Sequence, residues 1–347
     1  MYKAIKAYTC LQDDTSRFLY EKRCMWSLTG DDKYIDDIIE SIVYKDVLDV
    51  MMKRAMTVSD RLVIRGIGNE YHTLSRLYPD LEFAFFVDRD SVKVARGEID
   101  GHRVVSTDDF YETYKDFYVM ITSSAFCDEI ERELKEHGFD GEHIFNAGRL
   151  CKTKSQYFEQ GIIEPKEHEI FIDGGCYDGT TFRKFAKWCN GAYERIYSFE
   201  PDKRNYEAAA KALADNPIRD VHLLNKGLWN CRTTLRFHES GGQGAGIIGA
   251  ESGGADVVSI ETTTIDEAVQ DDAVTFIKLD VEGAEYEALE GAYNTIKRYH
   301  PRMAISVYHK PEDIFTIPEL ILSMSDDYRF YLRHYQMSRY ETILYAV

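Results

Sequence analysis

The sequence predicts an α/β protein built from two modules in tandem, and three observations predict it. From Arg61 onward, short runs of β-type residues alternate with helical stretches, the pattern of βαβ units on a parallel sheet. The polar stretch "KTKSQYFEQGIIEPKEHE" divides that series in two. Beyond it, "EIFIDGGCYDGTTF" (169–182) reads as a strand, a glycine-rich turn and the start of a helix. At 347 residues the chain is long enough for two cores.

Residues 1–60 read as a helical segment, in which Ile35, Ile38, Ile39, Ile42, Val43 and Val47 recur at helical spacing. Residues 61–150 read as a smaller Rossmann-like module with strands at "RLVIRG", "EFAFFVD", "YVMITSS" and "HIFNAG". Gly66 and Gly68 follow its first strand, and Asp88 ends the second at a spacing that suits a dinucleotide fold. Tyr71, however, occupies the third glycine position. A nucleotide or sugar-nucleotide pocket, which a nicotinamide-dependent enzyme would use, and a non-catalytic scaffold both remain open for this module. Residues 151–347 form the second module, with strands at "EIFID", "RIYSFE", "VHLLN", "TFIKLD" and "RMAISVYH". It closes on "YRFYLRHY" and "ETILYAV", two strand-like runs expected to lie antiparallel.

Composition narrows the function. The net charge of −18 and pI near 5.0 leave no basic footprint for nucleic acid or for an anionic membrane surface. No apolar run is long enough to span a bilayer. The seven cysteines (Cys10, Cys24, Cys127, Cys151, Cys176, Cys189 and Cys231) are scattered and include no C-x-x-C pair, which reads as reduced thiols in a cytoplasmic protein. The stretch 239–255, rich in glycine, reads either as a lid or as a loose connection.

The turn at 174–179 is neither of the common phosphate loops. Thr180 stands where a Walker lysine is required, and Gly174, Gly175 and Gly179 do not fit G-x-G-x-x-G. Gly175 and Gly179 still permit close backbone approach at the carboxyl end of a first strand. Asp173 and Asp178 would repel pyrophosphate, whereas Asp173 suits an ammonium or sulfonium group, or a ribose hydroxyl. Glu200 ends the next strand before the turn Pro201–Asp202, placed either to bind both ribose hydroxyls or to cap the following helix. The expected ligand is nucleoside-like, cationic and free of phosphate. Asp280 ends the strand "TFIKLD", and Glu282 and Glu285 follow at a helix start, with Glu285 on the packed row. His309 closes the neighbouring strand beside these acids.

The strings "FIDGGCYDGTTF", "IYSFEPD", "LLNKGLWN", "TTIDEAV", "FIKLDVEGAEYEALEGAYNTIK" and "RMAISVYHKPEDIFTIPELIL" resemble the FkbM-type methyltransferases over about residues 165–347. The resemblance implies a seven-stranded Rossmann-like sheet, S-adenosylmethionine as cofactor, and methylation of a hydroxyl on a sugar, glycan precursor or secondary metabolite. It implies cofactor contacts at Asp173, Gly174, Gly175, Gly179, Glu200, Pro201, Asn225, Gly227 and Asp280. The family's usual Gly-Ala-Asn is replaced here by Gly175-Cys176-Tyr177. His309 is expected as a general base titrating near neutrality, Asp280 as the residue orienting acceptor or cofactor, and Glu282 and Glu285 as supporting acids. No resident metal is expected. The competing arrangement is a divalent ion held by these acids and His309. The partner is a small-molecule or sugar acceptor, and a homo-oligomer stays open.

Overall fold

The computed structural model describes residues 2–42, 44–150, 156–238, 246–247 and 257–347. Its contacts divide the chain into two compact units: residues 31–154 with 334–340, and residues 1–30 with 155–333 and 341–347. This differs from expected boundaries at 60 and 150. The helix Asp14–Thr29, capped by Asp13 and ended by Gly30 at φ 68°, goes with the second module, whereas Lys33–Glu40 and Lys45–Met56 go with the first. Amphipathic spacing shows that a helix covers a core, but not which core. Ile35, Ile38 and Ile39 are buried as the spacing requires, while Val47 is exposed.

The unit around 31–154 carries six strands: β1 (Leu62–Arg65), β2 (Phe85–Asp88), β3 (Glu98–Ile99), β4 (His102–Ser106), β5 (Tyr118–Ile121) and β6 (Ile144–Asn146). Their order is β3-β4-β2-β1-β5-β6, with β3 antiparallel to β4 and the other pairs parallel. The β3–β4 hairpin turns on Asp100 and Gly101, both at positive φ, the geometry that Asp-Gly favours in a two-residue hairpin. Its core gathers Val63, Phe85, Val87, Phe110, Val119 and Leu134.

The other unit continues with β7 (Glu169–Gly174), β8 (Tyr193–Phe199), β9 (Val221–Leu224), β10 (Gly227–Leu228), β11 (Thr234–His238), β12 (Gly246–Ile247), β13 (Val257–Thr263), β14 (Phe276–Leu279), β15 (Arg302–Ser306), β16 (Phe330–His334) and β17 (Thr342–Ala346). Seven of these form one sheet in the order β16-β17-β15-β14-β7-β8-β9. The strands from β15 to β9 run parallel, and β17 is antiparallel to β15. A smaller sheet, β10-β13-β11-β12, was not anticipated. Apart from Gly246 and Ile247, the glycine-rich stretch 239–255 lies outside the described residues. Phe171 and Phe276 share one face of the large sheet with Phe158, Phe185 and Trp188, and the Phe171 and Phe185 rings stack at 4.1 Å. Burying each such aromatic side chain contributes about 1.5–3 kcal/mol.

The chain runs from β7 outward to β9, then returns to build β14 and β15 on the other side of β7. Strand order therefore reverses between β7 and β14. In open α/β sheets, ligands bind at the carboxyl ends of the strands flanking such a reversal.

Candidate active site at the carboxyl ends of the central strands

The glycine turn is built by close approach. Gly175 has φ +76°, and a Cβ there would lie 1.9 Å from the Asp280 carbonyl oxygen. Gly179, at φ +84°, precedes the helix Thr180–Trp188, and its Cβ would strike the Phe182 ring at 2.4 Å. A Cβ on Gly174 would lie 2.7 Å from the Leu279 side chain. Tyr177 sits at the turn's outer edge, half exposed and at positive φ.

Asp173 does not face the turn's ligand side as a bare charge. It is fully buried, and register pairs it with Lys278 on β14. The two side chains share one face, and Nζ of Lys278 lies 3.1 Å from Asp173 Oδ1. The same ammonium donates to the carbonyls of Gly174 and Gly175, at 2.9 and 2.7 Å. Burial works against the charge on Lys278, but Asp173 and Asp280 outweigh it and hold the lysine protonated. Burial likewise pushes the Asp173 carboxyl up, with Lys278 opposing it. Asp178 accepts from Thr180 N at 3.0 Å and so tends the helix start. The turn is thus less acidic toward a ligand than its residues imply. Lys278, which neutralises it from beneath, lay in a string whose alternation put it beside Asp280, but a single strand does not reveal its cross-strand partner.

Glu200, 6% exposed, follows β8. Its carboxylate accepts from Tyr177 N at 2.9 Å and from Asp202 N at 3.0 Å, bracing the turn. Burial pushes it up to about 7. The helix cap that was its alternative role belongs to Asp202, which accepts from the backbone of Arg204 and Asn205 ahead of Lys203–Asp215. Asn225 donates to the carbonyls of Glu200 and Pro201, at 2.8 and 3.1 Å, and thereby fixes that strand end. Gly227 packs against Ile260, where a Cβ would have only 3.1 Å.

Asp280, Glu282, Glu285 and His309 come together. Asp280 Oδ2 accepts from the Tyr157 hydroxyl at 2.6 Å, and Oδ1 accepts from Tyr308 at 2.9 Å. His309 Nδ1 lies 2.9 Å from Glu285 Oε1, while its Nε2 lies 3.5 Å from both Asp280 Oδ1 and Glu282 Oε2. Glu285 is fully buried, its Oε1 accepting from Val281 N at 2.8 Å. Glu282, more exposed, has a positive φ, a strain that tends to persist at functional sites. The near-neutral titration expected of His309 is not what these surroundings give. Burial disfavours its proton, but Glu285, then Asp280 and Glu282, outweigh that and raise it to about 10. Asp280 is shifted the other way: burial opposes its charge, and His309 and Lys278 overcome burial to hold it low. Among the described residues, Asp280, Glu285 and His309 offer donor atoms within 4.8 Å of one another, a set able to hold a metal ion. Tyr308 was legible only as a neighbour of His309. Tyr157 carried no signal, since it lies in the polar connector.

Other candidates fall away on chemistry. A cavity of about 690 Å³ lined by Arg183, Lys187, Tyr193 and Arg219 opens at the amino end of β8, opposite the ligand-binding ends. Arg183 and Arg219 donate there to backbone carbonyls. In the smaller unit, Gly66 and Asp88 line a cavity of about 240 Å³. Asp88 accepts from Lys93 at 3.0 Å and from Asp90 N at 2.9 Å, which ties it to its own loop. Tyr71 is buried at the third glycine position, edge-on to Phe86.

The profile of the Methyltransferase FkbM domain matches residues 173–337, the segment that holds the carboxyl ends of β7, β8, β9, β14 and β15. The methyltransferase FkbM of Methylobacillus flagellatus KT is similar in structure, with 22% identity, a TM-score of 0.51, and 86% of this chain and 93% of that one covered. An rRNA methylase from Streptococcus thermophilus aligns at 15% identity and a TM-score of 0.34, covering 53% of this chain and 87% of that chain. Fibrillarin of Aeropyrum pernix, in complex with S-adenosyl-L-methionine, aligns at 14% identity and 0.34, covering 52% and 67%. The first likeness speaks for the fold, and the other two add nothing to it. No curated protein matches the sequence. Among the described residues, no helix is long and apolar enough to cross a membrane. Residues 173–337 thus match a methyltransferase FkbM domain, whose cofactor is S-adenosylmethionine.

Proposed function

We propose that the chain methylates a hydroxyl oxygen of a small acceptor, a sugar, glycan precursor or secondary metabolite. One observation carries the reading: the glycine turn, Glu200 and the Asp280–His309 cluster all converge on the strand ends at the β7–β14 reversal. In this reading the turn and Glu200 hold the adenosyl part of the cofactor, with Glu200 accepting from ribose hydroxyls. Asn225 and Pro201 set the position of Glu200, and Lys278 keeps the floor of the turn neutral. The acceptor sits on the side of Asp280, Glu282 and His309.

Methyl transfer to oxygen is an in-line displacement: the carbon–sulfur bond breaks as the carbon–oxygen bond forms, and the hydroxyl proton must leave. The acceptor's hydroxyl proton passes to a carboxylate of the cluster, beside His309. Asp280, gripped by two tyrosine hydroxyls, orients the acceptor oxygen.

Calorimetry with S-adenosylmethionine tests the cofactor half. Binding is expected, and Glu200→Ala is expected to weaken it by at least about 1.5 kcal/mol, the loss of a charge-assisted hydrogen bond. Binding of NADH with no binding of S-adenosylmethionine would overturn the reading. The acceptor half is tested by methyl incorporation into a panel of sugars and hydroxylated metabolites, where methylation on nitrogen alone would exclude an oxygen acceptor.

A further inference from the structure

We propose that Asp280, Glu282 and His309 form a divalent-cation site on the acceptor side of the methyltransferase centre, with Glu285 orienting the histidine. The proposal rests on reading this cluster as the acceptor side.

The distances come first. Nε2 of His309 stands 3.5 Å from Asp280 Oδ1 and 3.5 Å from Glu282 Oε2. Both separations exceed a hydrogen bond. They match the edge between neighbouring ligand atoms on one ion, about 3.0–3.5 Å when each bond to the metal is about 2.1 Å. One ring nitrogen therefore faces two carboxylate oxygens at chelating rather than hydrogen-bonding distance.

The surroundings have the form that metal ligands need. A ligating histidine usually gives its other nitrogen to a carboxylate, and ligating carboxylates are themselves hydrogen-bonded. Here Nδ1 of His309 meets Glu285 at 2.9 Å, and Asp280 is held by Tyr157 and Tyr308.

A separate observation concerns charge. Glu285 is wholly buried, and its Oε2 has no hydrogen-bond partner among the described residues, although its carboxylate lies within 4.8 Å of the Asp280 and His309 donor atoms. Buried charges are ordinarily paired or placed beside a metal. Three carboxylates surround one imidazole, and Lys278, the cation nearest beneath, is bound to Asp173 and to two loop carbonyls. The ring, neutral as a ligand, leaves the cluster negative. A dication balances it.

Mixed imidazole and carboxylate donors suit manganese and its neighbours better than calcium. Three protein ligands leave coordination positions open, and these take oxygens of the acceptor. That favours an acceptor with two adjacent oxygens, such as a sugar diol.

The test uses the full-length protein, stripped with chelator and titrated with Mn²⁺ alone, without cofactor or acceptor. Free Mn²⁺ is read by electron paramagnetic resonance. One saturable ion per chain is expected. His309→Ala and Asp280→Asn are each expected to abolish saturable binding, and Glu285→Gln to weaken it about 10- to 100-fold. Glu282→Gln, at a side chain 38% exposed, guards against a folding artefact: it is expected to lower Mn²⁺ affinity while melting as wild type does. Absence of saturable binding overturns the proposal, as does binding equal to wild type in both Glu282→Gln and His309→Ala. S-adenosylmethionine binding measured separately shows whether the cofactor reading stands or falls on its own.

Discussion

Replacing Lys278 by methionine leaves the Asp173 carboxylate fully buried with no countercharge, because Lys278 is the one cation paired with it among the described residues. Breaking a buried pair by removing one member costs about 3–5 kcal/mol. Chemical denaturation of Lys278→Met is expected to show that loss, with much of it recovered when Asp173→Asn is added. A single variant within about 1 kcal/mol of wild type would mean the pair is not what closes the floor of the turn. Glu200 gives a pH dependence. Burial raises its pKa to about 7, with the backbone N–H groups of Asp202 and Tyr177 opposing the rise. The sign follows: the ionised form accepts from ribose, so cofactor affinity is present above that value and falls as pH drops through it, approaching about tenfold per pH unit. Calorimetry from pH 5.5 to 8.5 checks this, and Glu200→Gln is expected to flatten the profile. At this scale the acids and His309 were legible because strand ends are readable one strand at a time. Lys278 and Tyr157 were not, because their roles depend on a neighbour 105 and 123 residues away in sequence respectively.

The turn from Gly174 to Gly179 acts as one element, and its glycines differ in what they tolerate. Gly175 and Gly191 have nearly the same φ, +76° and +77°, yet a Cβ on Gly175 meets backbone at 1.9 Å while one on Gly191 meets nothing within 4 Å. Gly191→Ala is expected to cost about 1–2 kcal/mol, the strain of φ alone. Gly175→Ala is expected to cost more and to abolish S-adenosylmethionine binding, because the β7 turn must move off Asp280. Equal unfolding midpoints for the two variants would show that close approach to β14 does not shape the turn. The next helix offers a milder test. Asp202→Ala removes the cap of Lys203–Asp215 and is expected to cost about 1 kcal/mol by denaturation. Element types were readable wherever a run was long and apolar, as in "EIFID" or "RMAIS". The hairpin β3–β4 was missed although Asp100-Gly101 announces it, because its strands are short and only Val104 is buried. The helix expected to start around Glu282 and Glu285 is two short helices, Glu285–Glu290 and Tyr293–Tyr299. Gly291 lies between them, where a Cβ would fall 2.2 Å from the Trp229 carbonyl oxygen.

At the scale of the whole molecule, the informative difference lies in the first thirty residues. Sequence spacing assigned them to a helical segment with everything up to residue 60, yet their contacts belong to the methyltransferase unit. β16 is an edge strand of the seven-stranded sheet, and Leu11 bridges to Phe330 along it. Gln12 N donates to the Phe330 carbonyl at 3.0 Å, Phe330 N to the Cys10 carbonyl at 3.0 Å, and Leu332 N to the Ser16 hydroxyl at 2.9 Å. An exposed strand edge is a template for association with other chains, and this segment covers it. Leu11, Leu19 and Tyr20 are buried, and Asp13 pairs with Arg333 at 2.7 Å. Burying three such apolar side chains contributes several kcal/mol, at about 1.5–3 kcal/mol each. Deleting residues 1–30 is therefore expected to lower the melting temperature of the methyltransferase unit, to weaken S-adenosylmethionine binding, and to promote association at micromolar concentration. The measurements are thermal unfolding, calorimetry and light scattering on residues 31–347. Leu11→Asp in the full chain is expected to shift all three in the same direction, since it places a charge against β16 without removing the helices. A shortened chain that stays monomeric, melts as the full chain does and keeps its cofactor affinity would return these helices to the role the sequence first suggested.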